Sequence, residues 1–356
     1  MAFLTRVLEP PRYGYSKNGT FYVPTKKELA REFFSRLNFL KTKKNWLAFF
    51  GWTSSSVLAI PFFIFLTHFL TLKYFLVAFI YSMVILGTHG TIWYHRYCTH
   101  RAYQFRNSFW RFLVNHMVIR IIPEETYVVS HHVHHQYSEQ PGDPYNVNGG
   151  WWYCFLADVI HQPIAKTLSE EDYFRVLKML DHTGIRMNSY QQYQKWGSVC
   201  HPFFTLCSFS LNWIFWYSIF FLIGGHPLAI TLFGCAGFWA FGVRTFNFSG
   251  HGSGKDKRRD GVDFNRKDLS INQLWPGLVT GEWHNNHHLY PNGARAGFLP
   301  YQLDYAWYFI RFYKAIGGIT SYRDYKQQFL TQYYSPYLVQ HPTQSALSSL
   351  LAKNIS

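Results

Sequence analysis

Acidic side chains are scarce in this chain of 356 residues: 19 Asp and Glu stand against 34 Lys and Arg, and charged residues make up only 15% of the total. Cysteine is scarcer still. Cys98, Cys154, Cys200, Cys207 and Cys235 are scattered without a CxxC pair, which excludes a disulfide framework and fits a reducing, cytosolic face. The opening stretch MAFLTRVLEPPRYGYS has neither a long apolar core nor a small-residue cleavage site, so no cleaved signal peptide is expected and membrane insertion falls to internal helices. No repeat, low-complexity tract or linker marks a second domain. The formal charge of +15 would suit a nucleic-acid protein. The basic residues flank apolar segments instead, which is how positive-inside topology looks, so nucleic acid is excluded as a partner.

Aromatic residues (21%) and long apolar runs are what the chain has in quantity. Runs at 46–70, 72–93, 202–223 and 227–248 are each long enough for a bilayer crossing of roughly 20 residues. The first two are joined by a very short turn and the last two by Gly224, Gly225 and His226, so two helical hairpins are expected. Pro61 removes one helix hydrogen bond and bends the first span. Ten Lys and Arg precede that span, between Arg6 and Lys44, whereas the first turn has only Lys73 and the second none. Both termini and the middle segment, about 94–201, are therefore expected in the cytoplasm, in a bacterial inner membrane or the endoplasmic reticulum. Stretches 109–122 and 151–160 are apolar but too short to span, and read as interfacial or buried helices. The expected fold is an all-α integral membrane protein with four spans in two hairpins under a cytoplasmic helical cap. Its parts are an N-terminal segment 1–45, a membrane domain 46–300 and a C-terminal segment 301–356.

Eighteen histidines are present, and nine fall into four groups. His95 and His100 lie in HRYCTH, just past the second run. His131, His134 and His135 lie in HHVHH, His251 ends NFSGH, and His284, His287 and His288 lie in HNNHH. Given the hairpin topology, all four groups emerge on one side of the membrane. Helical positions i, i+3 and i+4 share a face, so each HxxHH is expected to aim three imidazoles at one point. The i, i+5 pair is splayed by roughly 140° on an α-helix and suits two neighbouring metals better than one. Nine imidazoles exceed the four to six ligands of one ion, so a dinuclear centre is expected. Imidazole alone does not choose among zinc, copper, iron and nickel. O₂ chemistry on an unactivated hydrocarbon in an apolar site needs a redox metal, which favours iron.

Lone histidines such as His68, His116, His161, His182 and His341 read as packing or interfacial residues. His132 sits at an unpatterned position in its box and is left out. His89, inside the second run, is either a functional group or a helix-packing hydrogen bond. Asn247, one helical turn before His251, is a candidate to hold a metal-bound water.

At these residues the chain resembles the membrane fatty acyl desaturases, and among them the stearoyl-CoA desaturase branch. HRYCTHRAY, HHVHHQYSEQPGDPYN, NFSGH and GEWHNNHHLYP are similar to that branch's successive elements, over about residues 88–291. The resemblance implies two irons held by the nine histidines, a water positioned by Asn247, O₂ as co-substrate, and a narrow tunnel that bends the acyl chain beside the metals. Where the animal enzymes place an Arg-Asp pair that helps hold coenzyme A, this chain has Val129 and Ser130, and its second box begins His-His rather than His-Arg. The carrier is therefore open among acyl-CoA, acyl-ACP and glycerolipid. No cytochrome b5 HPGG motif occurs, so a separate donor of ferredoxin or cytochrome b5 type is expected. The basic cluster Lys255, Lys257, Arg258 and Arg259 could dock that donor, the phosphates of a carrier, or anionic lipid.

The expected reaction is insertion of a cis double bond into a lipid acyl chain. The same site could also support hydroxylation, acetylene formation or decarboxylation to a terminal alkene. HxxHH spacing in the second box favours desaturation over the alkane hydroxylase pattern. A non-catalytic metal carrier or lipid-binding scaffold should show ionisable groups along several spans, whereas these histidines sit at one depth.

Overall fold

The computed structural model describes residues 3–161, 163–251, 283–299 and 302–340. The chain is mostly helical, with two short antiparallel ladders among the described residues, Ser16–Lys17 with Thr20–Phe21 and Tyr103–Phe105 with Ile319–Tyr322. Three helices are long and apolar enough to cross a membrane: Lys43–Phe69, Leu72–Thr99 and Pro202–Gly250. The third leaves helical geometry at Gly224 (φ −148°) and Gly225 (φ +68°), the two glycines of the expected turn. A left-handed φ carries no steric cost at glycine.

The first and third helices approach closely at Pro61. A Cβ at Gly234 would fall 2.6 Å from Phe62 Cα, and one at Gly237 would fall 2.6 Å from the Leu58 carbonyl oxygen. Small residues let two backbones meet in this way, which is how helices associate where lipid removes the hydrophobic drive between them.

The second helix is longer than its apolar run. It was expected to end near Trp93 but stays helical to Thr99, carrying the first histidine box on its own end. Ile80–Leu86 and Gly90–Thr99 are wound as π-helix, so the box is presented on a wider turn.

The expected helix over 109–122 is shorter, Ser108–His116. Beyond it the backbone unwinds because side chains of neighbouring helices take its hydrogen bonds. Asn212 Nδ2 donates to the Val118 carbonyl (3.0 Å) while its Oδ1 accepts from Arg120 N (2.9 Å). Trp216 Nε1 donates to His116 O (2.9 Å), Trp213 Nε1 to Arg120 O (2.8 Å) and the Tyr94 hydroxyl to Ile122 O (2.7 Å). A buried irregular strand is tolerated when its polar groups are satisfied like this. It delivers the chain to Pro123 and the helix Glu124–Tyr137 that holds the second box.

The stretch 151–160 forms two short helices, Trp151–Phe155 and Ala157–Ile160. Glu170–Leu180 packs against the Glu124–Tyr137 helix, and Tyr190–Trp196 against the turn Lys43–Asn45. The N-terminal segment is tied down: Thr25 and Glu28 form a reciprocal capping box on Lys26–Leu37, and Arg6 makes two hydrogen bonds to Asp172. All five cysteines are unpaired.

Candidate metal centre

The structure brings all nine box histidines together, in two groups. His95, His100, His131, His135 and His287 form one, and His134, His251, His284 and His288 the other, with the ligand atoms of each group within 4.8 Å of one another.

Two expectations about how the boxes present their side chains are corrected. His95 and His100 were expected to splay toward different metals, yet both belong to the five-membered group, with ring centroids 5.1 Å apart. The reason is the π-turn: His100 N bonds to His95 O, an i to i+5 hydrogen bond that stacks the pair on one face. The HxxHH boxes were expected to aim three rings at one point, and each instead divides. His131 and His135 enter the five-membered group while His134 enters the other; His284 and His288 enter the four-membered group while His287 crosses over. On an α-helix i and i+4 differ by about 40°, whereas i+3 lies about 60° to the other side, so a box facing the seam between two sites serves both.

The geometry fits metal ions. Within the larger group His95 Nε2 and His287 Nε2 are 2.8 Å apart, His287 Nε2 and His135 Nε2 3.1 Å, and His135 Nε2 and His131 Nε2 3.1 Å. In the smaller group His284 Nε2 lies 3.0 Å from both His251 Nε2 and His288 Nε2. An ion with bonds of about 2.1 Å holds neighbouring ligand nitrogens about 3.0 Å apart at right angles. Among the described residues His100 Nε2 and His134 Nε2 are buried without a hydrogen-bond partner, a need that a bond to a metal ion would meet. Burial, reinforced by the neighbouring histidines, holds His100, His131, His135, His287 and His288 far below the usual imidazole pKa. They are therefore neutral, which is the ligating form.

Carboxylates orient the four-membered group. Asp143 Oδ1 is 2.9 Å from His134 Nδ1, and Glu139 Oε1 is 2.9 Å from His251 Nδ1. Asp143 is fixed in turn by the backbone N–H groups of Glu139 (2.7 Å) and Tyr145 (2.8 Å). Such contacts set the tautomer and raise the basicity of the free nitrogen. Glu139 and Asp143, within SEQPGDPYN, have no role among the sequence expectations; the available signal is an acidic residue four and eight positions past a histidine box.

A second supporting network comes from the C-terminal part of the chain. Asp304, next to the first box, pairs with Arg96 and accepts from Ala296 N (2.8 Å), Gly297 N (3.2 Å) and Trp307 N (3.0 Å). Asn286, within the third box, donates to Ala296 O (2.8 Å) and Gln302 Oε1 (3.1 Å). Neither Asp304 nor Gln302 was anticipated.

The remaining candidates lie elsewhere. His89 Nε2 meets the Val114 carbonyl oxygen at 2.9 Å, so it serves helix packing. His132 belongs to neither group, nor do His68, His116, His161 and His182. Asn247 lines a cavity with Tyr127 and Tyr145, and its carbonyl accepts from His251 N. This cavity and an adjoining one lined by Gly90, Thr91, Tyr94, His95, Trp239 and Phe246 share Ile122, Tyr127 and Val243. Both are small and mainly apolar, and they lie alongside the histidines. Lys255, Lys257, Arg258 and Arg259, together with Gly281, Glu282 and His341, lie outside the described residues.

Comparison with known proteins agrees on one family. The family model described as fatty acid desaturase matches residues 71–314. The chain is 26% identical over 278 residues to the sn-1 stearoyl-lipid 9-desaturase of Synechocystis sp., covering 76% of this chain and 78% of that one. It is 28% identical over 235 residues to the Delta-9 desaturase-like 2 protein of Arabidopsis thaliana, covering 65% and 71%. It is 25% identical over 256 residues to the icosanoyl-CoA 5-desaturase of Limnanthes douglasii, covering 68% and 65%.

Proposed function

Because this chain belongs to the fatty acid desaturase family, and is thus an oxidoreductase of lipid metabolism, we propose that it places a cis double bond in a lipid acyl chain at a histidine-held di-iron centre. The observation that carries the reading is the pair of adjoining nitrogen sets, five and four, beside small apolar cavities. His95, His100, His131, His135 and His287 would hold one iron, and His134, His251, His284 and His288 the other. The second set is one ligand shorter and contains His251, so Asn247, one turn before it, would hold a water there.

Bound iron would supply, with O₂ and electrons from a separate ferredoxin or cytochrome b5 type donor, the oxidising power that an unactivated C–H bond requires. The chain's own residues do the rest. Glu139 and Asp143 hold the rings of His251 and His134 in the tautomer that leaves Nε2 free to ligate. Tyr127, stacked on His131 with ring centroids 5.0 Å apart, forms a wall of both cavities beside the five-membered set. That wall excludes bulk water and holds the target methylenes against the site. Relatives named for desaturation support this outcome over hydroxylation, acetylene formation, decarboxylation or a non-catalytic role. Their names include a stearoyl-lipid and an icosanoyl-CoA enzyme, so the carrier here stays within acyl-CoA, acyl-ACP or glycerolipid.

In the membrane, the break at Gly224 and Gly225 supports reading the third long helix as a hairpin, giving four spans in two hairpins. Lys and Arg placement supports a multi-pass protein of the bacterial inner membrane or endoplasmic reticulum, with both termini and the site cytoplasmic. In this reading the desaturase unit is about 46–300, flanked by cytoplasmic segments 1–45 and 301–356.

The test is expression in a host without related desaturases, with a compatible donor, beside the His287→Ala variant. New monounsaturated acyl chains only with the intact protein are expected, and the variant should insert normally while losing iron and activity. An iron-replete, active His287→Ala protein would sink the site assignment.

A further inference from the structure

The cavities beside the histidines are apolar along most of their walls, yet one stretch is ionic. Asp158 and Arg244 are the charged groups among their described lining residues. Their side chains are only 16% and 7% exposed. Arg244 Nε donates to Asp158 Oδ2 (2.7 Å), Nη2 to Ser55 Oγ (3.2 Å) and Nη1 to the Ala240 carbonyl. The guanidinium lies over the Trp52 ring, 4.6 Å from its centroid, and Trp52 Nε1 donates to Asp158 Oδ1 at 2.9 Å.

The two partners are not equally satisfied. Each carboxylate oxygen of Asp158 has a donor. A guanidinium has five N–H groups, and among the described residues three of them find acceptors, which leaves one on each terminal nitrogen without an acceptor there. Buried donors in an apolar wall are costly unless something supplies an acceptor, and an ionisable group among spanning helices is a functional candidate by default. The methylenes of an acyl chain offer no acceptor. The carbonyl oxygen of the bond to its carrier does.

We propose that Arg244 receives the carbonyl oxygen of the ester or thioester that joins the acyl chain to its carrier, and so fixes which carbons reach the metal-binding histidines. The inference rests on the acyl desaturase reading. Arg244 precedes Asn247 and His251 by three and seven residues, about one and two helical turns, so a carbonyl held there lies a fixed distance from the site. In this assignment the acyl tail runs from Arg244 past Tyr127 toward Gly90, His95 and Trp239, along the two small cavities that share Tyr127. A further small cavity shares Thr126 and Asp158 and is also lined by Lys44, Asn45 and Gly197, the side on which this assignment puts the carrier. Asp158 does not touch the substrate; it is a positioning residue that aims the guanidinium.

The test compares the intact, metal-loaded protein with the double variant Asp158→Asn, Arg244→Met, which leaves no orphaned charge. Double-bond position is read by mass spectrometry, and KM and kcat are measured in parallel with acyl-CoA and with acyl glycerolipid. The intact protein should give one position. The variant should raise KM about tenfold for whichever carrier is used, as expected for loss of a charge-assisted hydrogen bond, and spread the double bond onto neighbouring carbons. Lower yield or stability with unchanged position and KM would mean that the pair only ties helices together, and would overturn the proposal. If the double variant does not accumulate, Arg244→Lys is read the same way: a raised KM with a spread position supports the assignment, and unchanged values overturn it. An intact protein that binds iron and accepts electrons but leaves every acyl chain saturated would overturn the desaturase reading itself, and this assignment with it.

Discussion

Arg96 and Asp304, 208 residues apart, form a buried ion pair with Nη2 2.8 Å from Oδ1 and 3.0 Å from Oδ2, their side chains 3% and 2% exposed. Arg96 follows His95 directly, and Asp304 also gathers the turn at Ala296 and Gly297 that supports Asn286 in the third box. Thus one carboxylate ties together two of the segments that supply the histidines.

Removing one partner of such a pair leaves an uncompensated buried charge, which costs about 3–5 kcal/mol. Asp304→Ala should therefore lower the apparent melting temperature sharply in detergent. Arg96→Met with Asp304→Leu should recover much of that loss. A single variant as stable as the intact protein would show that the pair carries little.

Metal stoichiometry should follow the two groups rather than the sequence boxes. His134→Ala and His131→Ala alter the same box yet remove ligands from different groups. His134→Ala strips a four-ligand set to three and should lose more of the bound iron than His131→Ala, which leaves four ligands. Iron content by mass spectrometry checks this; identical losses would count against the division.

Asp143→Asn and Glu139→Gln should weaken iron affinity or turnover about 10–100-fold while leaving the fold intact, because each removes the charged acceptor that fixes a ligand's tautomer. Titration of the apo-protein with ferrous iron separates this from misfolding. An unchanged affinity in both variants would deny them that role.

The histidine groups and the long helices were legible because both are periodic: apolar runs of membrane length, and imidazoles at i, i+3 and i+4. Allocation of rings to groups was not. It depends on the π-winding of Gly90–Thr99, to which residue spacing on an ideal α-helix is blind, and on where the seam between the groups falls relative to each box. Asp304 and Gln302 were hidden for another reason. Their partners are brought together only by the folded chain, and an isolated Asp or Gln in a loop carries no local signature.

Glu125 gives a pH signature away from the histidines. It is buried, and burial raises its pKa to about 7, only partly offset by the hydrogen bond it accepts from Cys200 N (2.8 Å). The folded state thus holds a proton that the unfolded state releases near its ordinary value of 4.5. By linkage, stability is greatest below that value and falls as pH rises toward 7, by an amount of order 3 kcal/mol. Glu125→Gln should flatten this dependence between about pH 5 and pH 8 and be the more stable form at the upper end. Parallel melting curves for the two proteins would refute the assignment.

The crossing of the two HxxHH boxes bears on how the centre assembles. Each box helix is pinned at both groups, so neither group can be completed while a box helix is out of register, and filling one brings the other's ligands into place. Loading should therefore be cooperative, with the singly filled protein a sparse species even when iron is limiting. A cell short of iron would then hold a mixture of fully active and wholly inactive molecules rather than a uniform population of half-filled ones.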